Sequence, residues 1–240
     1  AAKNMQENNE KGSVAFFSLE MSSEQLSTRI LSEQARISSH EIRTGKASED
    51  TLNRYIETSR NIYDLPLYID ETPAIAISTL SNRARRIKRL FGLKLIVVDY
   101  IQLMKTNSNR MDGRVQEISE ITQGLKALAK ELNVPVVALS QLSRAVEQRD
   151  DKKPQLSDLR ESGSIEQDAD VVIFVYREQY YLEKKKPKEG SIEFAEWQSK
   201  MSDIHGAAEL ILGKHRHGST GVVHVEFEGA FTKFKDLPKN

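Results

Sequence analysis

Short apolar runs alternate along the chain with longer segments in which apolar residues recur at helical spacing. The length and composition of four runs are typical of buried strands: Val14–Leu19, Leu95–Val98, Val136–Leu139 and Val171–Val175. Leu67–Ile69 is a further candidate strand. Because strand and helix patterns alternate, the sequence predicts an α/β fold with a mostly parallel sheet, whose continuous apolar strands are buried on both faces.

Three helical regions connect these strands. Ser22–Gln25 resembles a capping box at the start of the first region, which is interrupted near Ser38 and Gly45. The other two regions have apolar residues along one face, at Leu80–Phe91 and Val115–Leu132. We therefore expect helices to flank the sheet.

The last third of the chain has a different pattern. Residues 178–206 are rich in lysine and low in apolar residues, which predicts an exposed insertion with some helix. The runs Ala208–Leu212, Val222–Phe227 and Phe231–Phe234 alternate like antiparallel strands at the C-terminal end. No internal repeat is evident, and we expect residues 1–240 to form a single domain.

Composition narrows the class of protein. With 240 residues, 38% hydrophobic and 29% charged, the chain is typical of an ordinary globular protein without a membrane span. The net charge of zero gives no global indication of nucleic-acid binding, and the absence of cysteine excludes disulfides and thiolate metal sites. The opening run AAKNMQENNEKG has neither an initiator methionine nor a signal-peptide pattern, so we expect a piece of a longer protein.

Polar side chains that suit phosphate chemistry follow three of the predicted strands. Glu20 follows the first, Asp99 follows Leu95–Val98, and Ser140 and Gln141 follow the third. A carboxylate at a strand end can hold Mg²⁺ through its waters, a second can polarise an attacking water, and a glutamine amide can contact a γ-phosphate. Taken singly, Asp99 also fits a turn or helix cap and Glu20 a charge at a helix N-terminus.

Several long motifs resemble one family. LIVVDYIQLM, FFSLEMSSEQL, LKALAKELNVPVVALSQLSR, SDLRESGSIEQDAD and GKHRHGSTG look like the motor domain of the bacterial DnaB-type replicative DNA helicases. The resemblance covers essentially the whole chain. It implies a RecA-like ATPase core, and it implies ATP-driven unwinding of duplex DNA at the replication fork.

The same resemblance implies roles for individual residues in ATP hydrolysis. Asp99 would support Mg²⁺, Glu20 would activate the attacking water, and Gln141 would sense the γ-phosphate and couple it to the DNA loops. Lys214 and Arg216 would reach the nucleotide site of a neighbouring subunit in a homo-hexameric ring. A finger of this kind contributes roughly 10³–10⁵ in rate in known phosphoryl-transfer enzymes.

For DNA binding the resemblance implies a central loop that tracks one single strand. Arg160, Glu161 and Gly163 would lie on this loop, since arginine contacts phosphate strongly and glycine lets backbone amides approach it. Arg114 would lie in another DNA-contacting loop. The resemblance further implies a helicase loader and a primase as partners of the full-length protein, and a cytoplasmic, nucleoid-associated location without membrane contact.

A phosphate-binding loop of the form GxxxxGK[ST] does not occur in the 240 residues. The resemblance places it just ahead of Ala1, so we expect the chain alone to bind nucleotide poorly or not at all. Two other functions stay open. One is a RecA-like recombination or repair ATPase, and the other is a non-catalytic ring or interaction module that has kept the scaffold.

Overall fold

The computed structural model describes residues 1–44, 47–106, 113–159 and 163–237. These residues fall into two compact units: residues 1–143 with 159–169, and residues 144–158 with 170–240. The organisation of the chain as a single domain stays a prediction. No helix in the described part of the chain has the length and apolarity needed to cross a membrane.

Parallel strands build the sheet of the first unit. The described residues contribute four of them in the order β2-β1-β3-β4, namely β1 (Val14–Ser18), β2 (Leu67–Asp70), β3 (Leu95–Asp99) and β4 (Val136–Ala138). Ser18 lies opposite Asp99, and Val98 lies opposite Ala138. The carboxyl ends of β1, β3 and β4 are therefore neighbours at one edge of the sheet.

Helices connect and flank these strands, as the apolar spacing predicts. In the first unit they are α1 (Ala2–Glu7), α2 (Ser23–Ala35), α3 (Ser39–Thr44), α4 (Glu49–Tyr63), α5 (Ile77–Phe91), α6 (Gly113–Leu132) and α7 (Gly163–Asp168). The capping box at Ser22 is confirmed, because its side chain accepts from the backbone N–H of Gln25 and the Gln25 side chain accepts in return. The predicted interruption near Ser38 is confirmed, and the one at Gly45 lies outside the described residues.

Antiparallel strands build the sheet of the second unit. The described strands follow the chain order β5 (Val171–Tyr176), β6 (Ala207–His215), β7 (Gly221–Glu228) and β8 (Lys233–Asp236). The predicted antiparallel C-terminal strands are thus confirmed. The helices α8 (Glu178–Glu183) and α9 (Ile192–Asp203) precede β6, and no described residue between 177 and 205 is fully buried. The insertion at 178–206 stays a prediction.

The sequence predicted that all the apolar strands are buried on both faces, and this prediction is wrong for β4 and β5. The strand β1 is buried almost throughout, but Val137 in β4 is 51% exposed and Leu139 beyond it is 44% exposed. In β5 alternate residues are buried, and Ile173 is 57% exposed. The reason is topological: β4 and β5 are the outermost described strands of their sheets, and β5 pairs antiparallel with β6.

Candidate nucleotide site

The end of β3 and the turn after β1 bring two carboxylates together. Asp99 is the last residue of β3, and its carbonyl accepts from the backbone N–H of Leu19 at 2.8 Å, which ties the turn carrying Glu20 to the end of β3. Glu20 is exposed and Asp99 is half-buried. Glu20, predicted to be catalytic, and Asp99, predicted to support the metal, therefore lie near each other at the carboxyl edge of the sheet, where ligands bind in open α/β folds.

The electrostatics of Asp99 reflect this pairing. Its partial burial, followed by the negative charge of Glu20, raises the pKa of Asp99 above its usual range. The guanidinium of Arg29, on α2, acts in the opposite direction and lowers that pKa. Sequence reasoning missed Arg29, because its place near the carboxylates depends on how α2 packs.

Hydrogen bonds hold the Glu20 turn in place on both sides. The buried hydroxyl of Ser18 donates to the Met21 carbonyl at 2.7 Å. The Glu71 carboxylate, just past β2, accepts from the backbone N–H of Ser23 at the start of α2. Glu71 was also missed from the sequence, since it is 48 residues away from Ser23 in the chain.

Gln141 lies at the same edge of the sheet, beyond β4. Its segment is joined to the end of β3, because Leu139 donates its backbone N–H to the Val98 carbonyl at 2.9 Å. Gln102, in a 3₁₀ turn spanning Ile101–Leu103, contacts both Ser140 and Gln141 through its side-chain amide. Gln141 is exposed. The predicted side chains at three strand ends are thus neighbours along this edge.

A metal ion at this edge would need few protein ligands. Among residues 1–44, 47–106, 113–159 and 163–237, no three His, Cys, Asp or Glu side chains are grouped closely enough to form a metal site by themselves. Mg²⁺ keeps several waters and binds through one or two carboxylates together with substrate phosphates. The paired carboxylates of Glu20 and Asp99 fit that donor set, because a cation would offset the negative charge of Glu20, which after burial is the second cause that raises the pKa of Asp99.

Lys214 and Arg216 belong to the second unit, at the end of β6 and just after it. Lys214 lies opposite Val172 of β5 and is half-buried. Arg216 is exposed; its guanidinium donates to the Asp170 carboxylate at 3.0 Å, and its backbone N–H donates to the Asp170 carbonyl at 2.8 Å. Both side chains of this ion pair are about half exposed, at 53% and 52%.

Of the four predicted DNA-binding residues, the structure describes two, Gly163 and Arg114. Arg160 and Glu161 are outside the described residues, and Gly163 begins α7 with an exposed position. Arg114 is the second residue of α6. Its guanidinium donates to the Gln102 carbonyl and to the Glu117 carboxylate, the latter at 2.7 Å. Arg114 therefore has structural partners that its sequence position did not indicate.

Comparisons with known proteins agree with the arrangement of these residues at the strand ends. Residues 1–236 match the family described as DnaB-like helicase C terminal domain. The replicative DNA helicase DnaB of Rickettsia prowazekii (strain Madrid E) is 54% identical over 237 residues, which cover 99% of this chain and 49% of that protein. The Geobacillus stearothermophilus protein of the same name is 43% identical over 226 residues, covering 94% of this chain and 46% of that one.

Two solved structures share the fold. One is described as an ATPase domain, with a TM-score of 0.83, 34% identity, and coverage of 99% of this chain and 78% of that chain. The other is a DnaB-like replicative helicase described with its interactions with primase, with a TM-score of 0.83, 33% identity, and coverage of 99% and 53%. The predicted RecA-like ATPase core is confirmed. The chain spans about half the length of the curated relatives it matches.

Proposed function

Because the chain belongs to the DnaB-like helicase C-terminal domain family, we propose that it is the motor portion of an ATP-driven replicative helicase. The proposed activity is the unwinding of duplex DNA at the replication fork, by a homo-hexameric ring that moves along single-stranded DNA. The observation that carries the proposal is the pairing of Glu20 with Asp99 at the carboxyl ends of adjacent parallel strands, with the pKa of Asp99 raised by burial and by the charge of Glu20.

The proposed site handles ATP with Mg²⁺. Asp99 would hold the ion through its water shell, and the ion would supply positive charge that offsets the negative charge of the phosphates. Glu20, exposed on its turn, accepts a proton from the attacking water. Gln141 donates its side-chain amide to the γ-phosphate. Arg29 balances part of the negative charge beside Asp99.

Lys214 and Arg216 are proposed to act on the nucleotide of a neighbouring subunit. Arg216 must then exchange Asp170 for a phosphate oxygen. That exchange costs little, because an ion pair with both side chains about half exposed contributes at most about 1 kcal/mol. A guanidinium presents two parallel donors to a phosphate, which gives geometry as well as charge.

The DNA contacts are proposed for Arg160, Glu161 and Gly163 on one loop and for Arg114 near another. Arginine and backbone amides at these positions would bind phosphates of a single strand without reading its sequence. A helicase loader and a primase are proposed as partners of the whole protein, whose location is proposed to be cytoplasmic and associated with the nucleoid. One structural neighbour is described with primase, which supports the second partner.

The lack of a GxxxxGK[ST] motif in the 240 residues limits what this chain does alone. That loop supplies backbone amides and a lysine for the β- and γ-phosphates. Without it, the groups paired at the strand ends are mainly carboxylates, which repel a polyanion. We therefore expect nucleotide binding to require an upstream segment that carries the loop.

The direct test is ATP hydrolysis stimulated by single-stranded DNA, measured for this chain and for a longer form that includes an upstream phosphate-binding loop. We expect hydrolysis only in the longer form, and we expect Glu20→Gln to lower its kcat by roughly 10²–10⁴-fold because the general base is lost. Glu24→Gln is the matched control, since Glu24 lies in the first turn of α2. A longer form that binds neither ATP nor DNA would favour the non-catalytic ring module.

A further inference from the structure

The side chain of Gln102 bridges the turn after Asp99 and the segment after β4. Its Nε2 donates to the Ser140 hydroxyl at 2.8 Å and lies 3.4 Å from the Gln141 carbonyl. Its Oε1 accepts the backbone N–H of Gln141 at 3.2 Å. The donor and the acceptor of this one amide are thus both in use, on the backbone of Gln141 and on the side chain of Ser140. A carboxamide suits this arrangement, because its oxygen only accepts and its NH₂ group only donates, each at a fixed place at the end of the side chain.

The backbone of Gln102 is held from a different element. The Arg114 guanidinium, in the first turn of α6, donates to the Gln102 carbonyl and also pairs with Glu117 at 2.7 Å. Arg114 is half-buried, with 37% of its side chain exposed. The start of α6 is therefore connected through Arg114 to Gln102, and through Gln102 to Gln141.

From these contacts we propose that Gln102 is the positioning residue for Gln141, and that Arg114 couples this position to the start of α6. The inference rests on the proposed function, in which Gln141 contacts the γ-phosphate and Arg114 lies near a DNA-contacting loop. A displacement at the start of α6 pulls on the Gln102 carbonyl and so shifts the backbone that carries Gln141. DNA binding and phosphate sensing are thereby linked by two side chains.

Amide hydrogen exchange at Gln141 tests the positioning directly, and it uses the 240-residue chain. Gln102→Ala removes the acceptor, so we expect the Gln141 amide to exchange about fivefold faster, which corresponds to the loss of one ordinary hydrogen bond. Gln102→Glu keeps an acceptor oxygen and should preserve the protection. Gln123→Ala is the matched control, because Gln123 bonds to Ser119 on its own helix at 3.3 Å.

The same measurement tests the link through Arg114. Arg114→Ala should also raise exchange at Gln141, whereas Glu117→Gln, which removes only the ion pair, should not. An unchanged rate at Gln141 in Gln102→Ala overturns the proposal. An equal rise across all strands of the parallel sheet overturns it as well, because that result means general destabilisation and not local positioning.

Kinetics of the longer form with its phosphate-binding loop separate positioning from structural support. Gln102→Ala should lower kcat with single-stranded DNA by roughly 10- to 100-fold, as misplacing a reacting group does, while KM for ATP changes little. A rise in KM at constant kcat contradicts the proposal. If the unsubstituted longer form does not hydrolyse ATP, the proposed function fails, and the exchange at Gln141 alone decides the positioning role of Gln102.

Discussion

Asp99 has a pKa above its ordinary value because it is partly buried and because Glu20, beyond the neighbouring strand, carries a like charge. Two carboxylates that lie close together disfavour each other's ionisation. A divalent cation held here would stabilise both charges, and Mg²⁺ commonly binds through one or two carboxylates together with substrate phosphates. The positive charge of Arg29 acts in the same sense and lowers the pKa of Asp99.

Removing the charge of Glu20 and removing the charge of Arg29 should shift the pKa of Asp99 in opposite directions. Glu20→Gln removes a negative charge, so the pKa of Asp99 should fall. Arg29→Gln removes a positive charge, so the same pKa should rise. Carbon-detected NMR of the Asp99 carboxyl measures both shifts, with Glu24→Gln as the control for a charge change on α2. An Asp99 pKa that does not respond to Glu20→Gln would contradict the pairing.

The raised pKa of Asp99 predicts a pH-dependent gain in stability for Asp99→Asn. A carboxyl whose pKa is higher in the folded than in the unfolded state stabilises the fold below about pH 3.8, its ordinary pKa, and that contribution is lost as pH rises through the folded pKa. The asparagine of Asp99→Asn carries no proton to lose. As pH rises from about 3.8 through the folded pKa of Asp99, the variant's free energy of unfolding should therefore increase relative to that of the natural chain, and then level off. Urea unfolding at a series of pH values measures this, and a decrease over the same window would refute it.

Glu71 is expected to hold the Glu20 turn through the N-terminus of α2. Its carboxylate accepts from Ser23, and that hydrogen bond lowers the pKa of Glu71 below its usual value. Glu71→Ala should therefore speed amide exchange at Ser23, and Glu71→Gln, which keeps an acceptor, should do so less. Protection in the natural chain is present above the ordinary pKa and is lost as pH falls through the folded one. Equal exchange in all three proteins would show that Glu71 does not act as a cap.

Two arginine–carboxylate pairs in different environments should differ in their contribution to stability. Arg149 donates two hydrogen bonds to Asp158, at 3.0 and 2.9 Å, and the Asp158 side chain is only 5% exposed. Arg149→Ala leaves that carboxylate buried without its counter-ion, so we expect a loss of about 3 kcal/mol.

The control for this prediction is the exposed pair of Arg85 and Glu131. Arg85 also donates two hydrogen bonds, at 2.7 and 2.8 Å, but both side chains are almost half exposed, at 46% and 47%. Arg85→Ala should lower the free energy of unfolding much less than Arg149→Ala, because water and salt screen an exposed ion pair. Urea unfolding measures both free energies, and similar losses for the two variants would show that burial of Asp158 does not decide the effect.

Most of the fold could be predicted from the sequence, since local patterns determine most of it. The capping box at Ser22 and the apolar spacing of α5 and α6 depend on nearby residues, and these elements are confirmed. Which sheet β5 joins could not be predicted. An apolar run such as Val171–Val175 indicates that the segment is a strand. It indicates neither the strand with which the segment pairs nor how far its side chains are exposed.

The candidate site was predictable in part, for the same reason. Glu20, Asp99 and Gln141 lie at the ends of apolar runs in the sequence, so their common edge follows from parallel topology. Gln102 and Glu71 had no such signal. Their partners are 39 and 48 residues away in the chain, and only tertiary packing brings them into hydrogen-bonding distance.

The most direct measurement of the central claim is strand separation of a forked DNA duplex by the longer form with its phosphate-binding loop. The account predicts unwinding with ATP and Mg²⁺, none with a non-hydrolysable ATP analogue, loss in Glu20→Gln, and retention in Glu24→Gln. ATP hydrolysis stimulated by single-stranded DNA but without any strand separation would contradict the helicase function and favour a recombination-type ATPase.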